Sequence, residues 1–206
     1  MRAILLPCVA FLSLALSGCK VVYNAHPLYT SDDAVEVPAL EGVWTNVDSE
    51  SDQVCIRKSD HHQYQLISFD PPSKVTDLYQ INLVRLNDQL FADLVFQKEF
   101  VDGTEIDPPV GATFYHAIAK LEITDNELSY AALDYYAVRD ENKETFPPLE
   151  FLDDGGMLLV TSSTTDMRQY LKLYADRVFD STEHLRKIED GTGASSSTPC
   201  TIPTAP

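Results

Sequence analysis

The sequence predicts a mainly β fold, an antiparallel barrel or sandwich with one or two C-terminal helices. Three observations carry this. From about residue 40 to residue 161, short runs of β-branched, aromatic and leucine residues recur between clusters of Asp, Asn, Ser and Gly. In the longest of these, residues 78–86, Tyr79, Ile81 and Leu83 alternate with Leu78, Gln80 and Asn82, the two-residue period of a strand with one buried face. Past residue 162 the apolar period lengthens to that of a helix.

The first strand of the folded part is expected at Leu40-Glu41-Gly42-Val43-Trp44. Residues 52–58 and 63–69 flank Ser59-Asp60-His61-His62 and read as a hairpin. Asn87-Asp88 turns the 78–86 strand into 89–97. Residues 118–123 and 128–131 form a further hairpin about Thr124-Asp125-Asn126-Glu127. Phe151-Leu152 and 157–161 form another, in which Asp153-Asp154-Gly155-Gly156 supplies the positive φ of a tight turn. In residues 163–174, Met167, Tyr170, Leu171 and Tyr174 share one helical face, and Ser163 or Thr164 offers the N-cap. A second short helix is expected at 181–188, with Leu185 and Ile188 inward. Residues 190–206 are rich in Ser, Thr and Pro without apolar periodicity and read as a disordered tail.

The N-terminus has a different character. Arg2 precedes an apolar stretch, residues 3–16, that is too short to span a bilayer and contains Pro7, which disfavours a stable anchor helix. It ends in Leu16-Ser17-Gly18-Cys19, which resembles the lipobox of bacterial lipoproteins. The resemblance implies that residues 1–18 are a cleaved signal peptide and that Cys19 becomes the acylated first residue, since two or more acyl chains give durable anchoring. It also implies a place in the cell envelope. In that family an aspartate after the cysteine retains the protein at the inner membrane; Lys20 stands there instead, which favours the periplasmic face of an outer membrane if the host has one. Residues 19–38 then read as the lipidated end and a tether, with Tyr23, Pro27 and Tyr29 suggesting that part of it packs on the domain. Residues 39–189 make a single domain.

The formal charge is −17, and loss of Arg2 with the signal would make the remainder one unit more acidic. Such a field repels nucleic acid and anionic lipid surfaces as partners. With Cys8 leaving in the signal and Cys19 acylated, Cys55 and Cys200 remain in an oxidising compartment. Either they pair, tying the tail to the domain across a long loop, or Cys55 is a buried free thiol and Cys200 is loose.

Gly42-Val43-Trp44 resembles the opening motif of lipocalins and related calycin barrels, in which the tryptophan plugs the closed end. A core tryptophan of any β domain would look the same. The family's arginine that stacks on this ring has only Arg139 and Arg168 as candidates, neither at a telling spacing. The chain is also similar to small bacterial lipoproteins of unknown function in this start, in a middle stretch over 114–136 and in an ending over 161–171, which implies an envelope location and no chemistry.

Catalytic and cofactor signatures are lacking. The sequence contains no Gly-X-Ser-X-Gly, no His-Glu-X-X-His, no P-loop and no dinucleotide fingerprint. His61-His62 reads as a pair of solvated turn histidines, His116 as a satisfied barrel residue, and Asp102-Gly103-Thr104-Glu105-Ile106-Asp107 as a solvated acidic loop that departs from the EF-hand pattern. No enzyme activity, cofactor or metal is expected. Ten tyrosines and nine phenylalanines are compatible with a ligand cavity lined by aromatic rings. Trp44, Tyr130, Tyr135 and Tyr136 are the candidate ligand-binding residues. Two functions remain: a membrane-tethered, non-enzymatic binding module for a small apolar ligand or peptide, or a structural or assembly lipoprotein with a filled core that acts through contact with envelope proteins.

Overall fold

The computed structural model describes residues 20–49, 51–59, 62–70, 72–106, 115–143, 148–188 and 200. Cys19 lies outside them, as does most of the 190–206 tail. In chain order the elements are β1 (Val21–Asn24), a single 3-10 turn (Pro38–Leu40), β2 (Gly42–Asn46), β3 (Gln53–Lys58), β4 (Gln63–Asp70), β5 (Val75–Leu86), β6 (Gln89–Val101), β7 (Thr104–Ile106), β8 (His116–Ile123), β9 (Glu127–Ala132), α1 (Tyr135–Glu141), β10 (Phe151–Asp153), β11 (Met157–Val160), α2 (Thr164–Tyr174) and β12 (Glu183–Lys187).

Eight of these strands close an antiparallel barrel. Strands β2 to β6 pair in sequence, β6 pairs with β8, β8 with β9, β9 with β12, and β12 returns to β2. Closure leaves these strands without a free edge over their paired lengths. The turn chemistry matches the expectation from sequence. Asn87 and Asp88 both take positive φ between β5 and β6, Asp102 and Gly103 do so between β6 and β7, and Gly155 does so between β10 and β11.

The barrel wall separates two apolar cores. The inner one fills the barrel with Trp44, Val54, Ile56, Tyr64, Leu66 and their neighbours. The outer one lies between the barrel and everything inserted between β9 and β12, where Val84, Leu86 and Phe91 meet Met167, Tyr170 and Leu171 of α2. Ser163 caps α2, its Oγ accepting Asp166 N–H at 3.2 Å.

Trp44 is fully buried, and its Nε1 donates to Leu40 O at 2.9 Å, tying the 3-10 turn to the first barrel strand. The cation over its indole is neither Arg139 nor Arg168, the two candidates from sequence. Arg139 sits over the Tyr135 and Tyr136 rings, and Arg168 pairs with Asp33. Lys187 of the last strand holds the place, its Nζ 5.2 Å from the Trp44 ring centre and 3.2 Å from Ala39 O, which accepts from it. Gly42 has φ +147°, and a Cβ there would come within 2.5 Å of Lys187 Cε, so the glycine makes room for the lysine stem.

Several expectations need correction. Residues 181–188 contain strand β12 rather than a second C-terminal helix; Leu185 packs in the barrel core, Lys187 on the same face lies over Trp44, and His184 and Arg186 face outward. The second helix is α1, capped by Asp134 and too short to carry a helical period. Residues 20–38 are packed on the domain over much of their length. Strand β1 pairs in parallel with β11, Leu28 is fully buried, and Val35 N–H donates to Leu83 O at 2.9 Å. Among the described residues, no helix is long and apolar enough to cross a membrane.

Candidate functional site

Cys55, Ile67 and Leu78 form a small apolar cluster on the outside of the barrel, joined by Cys200. Strand alternation therefore turns the residues beside them inward. Register places Val54 opposite Ser68, Ser68 opposite Asp77, and Asp77 opposite Glu99, so one interior row crosses β3, β4, β5 and β6. The row lies at the end of the barrel opposite Gly42. A register shift between Leu78 and Tyr79 leaves Gln97 as an extra residue on β6. Past this bulge, among the described residues, β6 no longer pairs with β8 and takes β7 as its partner.

Two polar groups of this row are buried. Ser68 is 1% exposed, and among the described residues its hydroxyl has no hydrogen-bond partner. Asp77 is 7% exposed, with the like charges of Glu99 and Asp70 near it. One row deeper, Tyr79 and Phe96 stand edge to face with centroids 5.4 Å apart, above the apolar interior. A buried hydroxyl without a partner costs about 1–3 kcal/mol, and a buried, unpaired carboxylate costs more. Such groups suit a ligand that brings a positive charge or a hydrogen-bond donor.

Burial, then the charges of Glu99 and Asp70, pushes the Asp77 carboxyl up to about 6 from its ordinary 3.8. The folded protein thus holds this proton more tightly than the unfolded chain. Its cost to stability is absent below about pH 4, grows as pH rises through the window between the two values, and is complete above pH 6. Asp77→Asn is accordingly expected to raise stability by about 1–3 kcal/mol at pH 7. In urea unfolding, that gain should disappear by about pH 4. An equal gain at both pH values would contradict the assignment.

The residues expected to bind ligand divide between two places. Trp44 and Tyr130 belong to the barrel interior, Trp44 on β2 opposite Val54 and Tyr130 on the β9 wall, where burial and Glu183 push its phenol up to about 12. Tyr135 and Tyr136 lie outside the barrel on α1. Tyr135 is buried in the outer core and donates to Asp153 Oδ1 at 2.5 Å, whereas Tyr136 is half exposed. Cys55 and Cys200 are joined in a disulfide with Cα atoms 5.2 Å apart.

The remaining polar clusters have structural roles. His116 lies on the outer face of β8, and its Nδ1 is 2.6 Å from Oδ1 of the fully buried Asp93, whose Oδ2 accepts Leu28 N–H at 2.6 Å. This carboxylate pins the N-terminal segment to the barrel. His62 pairs with Glu36 at 2.6 Å, and His61 lies outside the described residues. In the acidic loop, Asp102 pairs with Lys74 and Glu105 with Lys98, each at 2.8 Å, and Asp107 is again outside. Among the described residues, no three His, Cys, Asp or Glu side chains are grouped to hold a metal ion. A shallow cleft of about 200 Å³ beside β8 and β9 is mostly polar, and its Lys120 is neutralised by Asp176 at 3.0 Å.

Ser68, Asp77 and Glu99 are absent from the candidates drawn from sequence. A signal for Asp77 exists: counting back by twos from Leu83, Ile81 and Tyr79 puts an aspartate on the inward face of the same strand. Compared with known proteins, the chain matches no protein family, no curated protein and no solved structure.

Proposed function

We propose that this protein is a membrane-anchored envelope lipoprotein whose barrel is a non-enzymatic binding module. Its ligand is a small, mainly apolar molecule or peptide segment with a cationic or hydrogen-bond-donating end. The carrying observation is the buried Ser68 hydroxyl, without a partner among the described residues, beside the buried Asp77 carboxylate, both facing the interior above Tyr79 and Phe96. Glu99 in the same row and Asp70 one row beyond it add negative charge and favour a cation. The apolar body of the ligand would lie against the rings below.

Anchoring rests on Leu16-Ser17-Gly18-Cys19. Cys19→Ala is expected to move the protein from the membrane fraction to the soluble fraction on cell fractionation, and a variant that still pellets would overturn the lipoprotein reading. The binding role is tested by thermal melting with a medium-chain alkylamine and, separately, the matching fatty acid. The amine should raise Tm in the wild type and not in Asp77→Asn. A shift with the fatty acid, or one that survives the substitution, would overturn it.

One observation favours the alternative of an assembly lipoprotein. Trp44, Tyr64, Leu66 and Leu83 are fully buried, so this part of the barrel is filled by its own side chains. If neither amphiphile shifts Tm and the protein leaves the envelope only in complex with another protein, the assembly role replaces the binding one.

A further inference from the structure

The small sheet outside the barrel has one face in the outer core and one turned away from it. Val22, Leu158 and Val160 point into that core. Alternation then puts Val21, Tyr23, Met157, Leu159 and Leu152 on the opposite face, and register joins them: Val21 faces Met157, Tyr23 faces Leu159, and Leu159 faces Leu152. All five are apolar or aromatic; Val21, Met157 and Leu159 are partly exposed, and the Tyr23 ring stacks on Tyr115 with centroids 5.7 Å apart. Leu152 is 66% exposed, the most exposed of the large hydrophobic residues described.

This face begins one residue from the end of the described chain. Only Lys20 separates Val21 from Cys19. Lys20 is held in place, its Nζ 4.8 Å from the Tyr135 ring centre and 4.5 Å from that of Tyr136, with the Arg139 guanidinium over the same two rings. Tyr136 is 49% exposed beside them. In a strongly acidic chain, two cations and an exposed tyrosine thus adjoin an apolar sheet face. The nearby carboxylates have local partners: Asp140 pairs with Arg139 at 3.4 Å and with Lys143 at 2.7 Å, Asp153 accepts the Tyr135 hydroxyl and Gly155 N–H, and Asp154 accepts the N–H groups of Gly156 and Met157.

We infer that the outer face of β1, β11 and β10 rests on the bilayer interface, with Lys20 and Arg139 at the level of the lipid phosphates. The inference deepens the proposal that Cys19 is acylated, on which it rests. A fixed Lys20 leaves almost no tether, so acyl chains on Cys19 would bring this edge of the domain to the membrane. There an apolar face gains by leaving water, while tyrosine and cationic side chains suit the headgroup layer.

The test uses the full acylated protein, extracted from envelopes and reconstituted into phosphatidylethanolamine/phosphatidylglycerol vesicles containing doxyl-labelled phospholipid. An environment-sensitive fluorophore is attached at Leu152→Cys or, as a control, at Leu173→Cys, an exposed position on α2 near the 87–88 turn. Both sites are exposed, so the labels should leave folding intact. The label at 152 is expected to be quenched at least about twice as strongly as that at 173. Equal quenching in protein that floats with the vesicles would overturn the docking face and leave the anchor standing. Protein that fails to float would overturn the anchor, and the docking face with it. A label at 152 that stays wet in vesicles but is shielded in native envelopes would assign the face to a protein partner, and would also overturn the inference.

Discussion

Trp44→Ala is expected to lower stability by about 3–5 kcal/mol, the cost of emptying a fully buried aromatic site that its neighbours cannot refill. The side chain does three things at once. It fills part of the barrel interior, its Nε1 holds the 3-10 turn through Leu40 O, and its ring carries the Lys187 ammonium. Removing it leaves Leu40 and Lys187 without the surface they pack on, at the point where β12 meets β2 and the barrel closes. Trp44→Phe keeps part of the volume and loses the hydrogen bond, so its cost should fall between the wild type and the alanine variant. Because Trp44 is the sole tryptophan, unfolding in urea should be followed by far-ultraviolet circular dichroism. A loss below about 1 kcal/mol would mean that this part of the barrel is not filled by the indole.

Breaking the Cys55–Cys200 bond has the second large expected effect. The bond spans 145 residues of sequence, and constraint of so long a loop in the unfolded chain is worth about 5 kcal/mol in the chain-entropy account, with about 2–5 kcal/mol usual in practice. For a domain of this size, loss of 2–5 kcal/mol lowers Tm by roughly 5–15 °C. The bond also presses Cys200 onto Cys55, Ile67 and Leu78, the outer residues whose inner neighbours are Val54, Ser68 and Asp77. Reduction, or Cys55→Ser with Cys200→Ser, should therefore lower Tm by that amount and leave a folded barrel. Alkylation provides the covalent check: neither thiol should take up label before reduction, and both should do so afterwards once the chain is unfolded. Labelling at both positions without reduction would contradict the bridge.

The architecture was readable where local chemistry and global pairing agree. Asn87-Asp88 and the 153–156 turn have the residues that positive φ requires, and the strands beside them alternate cleanly. Ser163 and the Met167, Tyr170, Leu171 stripe marked α2 for the same reason. The failures occur where pairing partners are distant in sequence. Nothing within Val21-Val22-Tyr23-Asn24 foretells a parallel partner at residues 157–160. Strand β12 has one apolar residue on its inward face, Leu185, and the spacing of Leu185 and Ile188 suits a helix equally well; the open edges of β2 and β9 decide the outcome. Lys187 in place of a stacking arginine could be found only after β12 was placed beside Trp44.

The candidate site was hidden for a related reason. Tyr130, Tyr135 and Tyr136 are close in sequence, yet the chain passes from β9 inside the wall to α1 outside it between the first and the other two. Ser68, Asp77 and Glu99 lie on three strands and come together only through register. A single inward aspartate resembles a tolerated surface residue until its neighbours are known.

The central claim is that the Ser68 hydroxyl and the Asp77 carboxylate are kept buried in the barrel interior in order to hold a ligand. Native mass spectrometry of protein gently purified from the cells that produce it, wild type beside a Ser68→Ala/Asp77→Asn variant, tests this most directly. The account predicts a bound non-protein mass on the wild type, released on activation in the gas phase, and its loss from the more stable double variant. Wild-type protein that carries no such mass, or a variant that carries the same one, would contradict it.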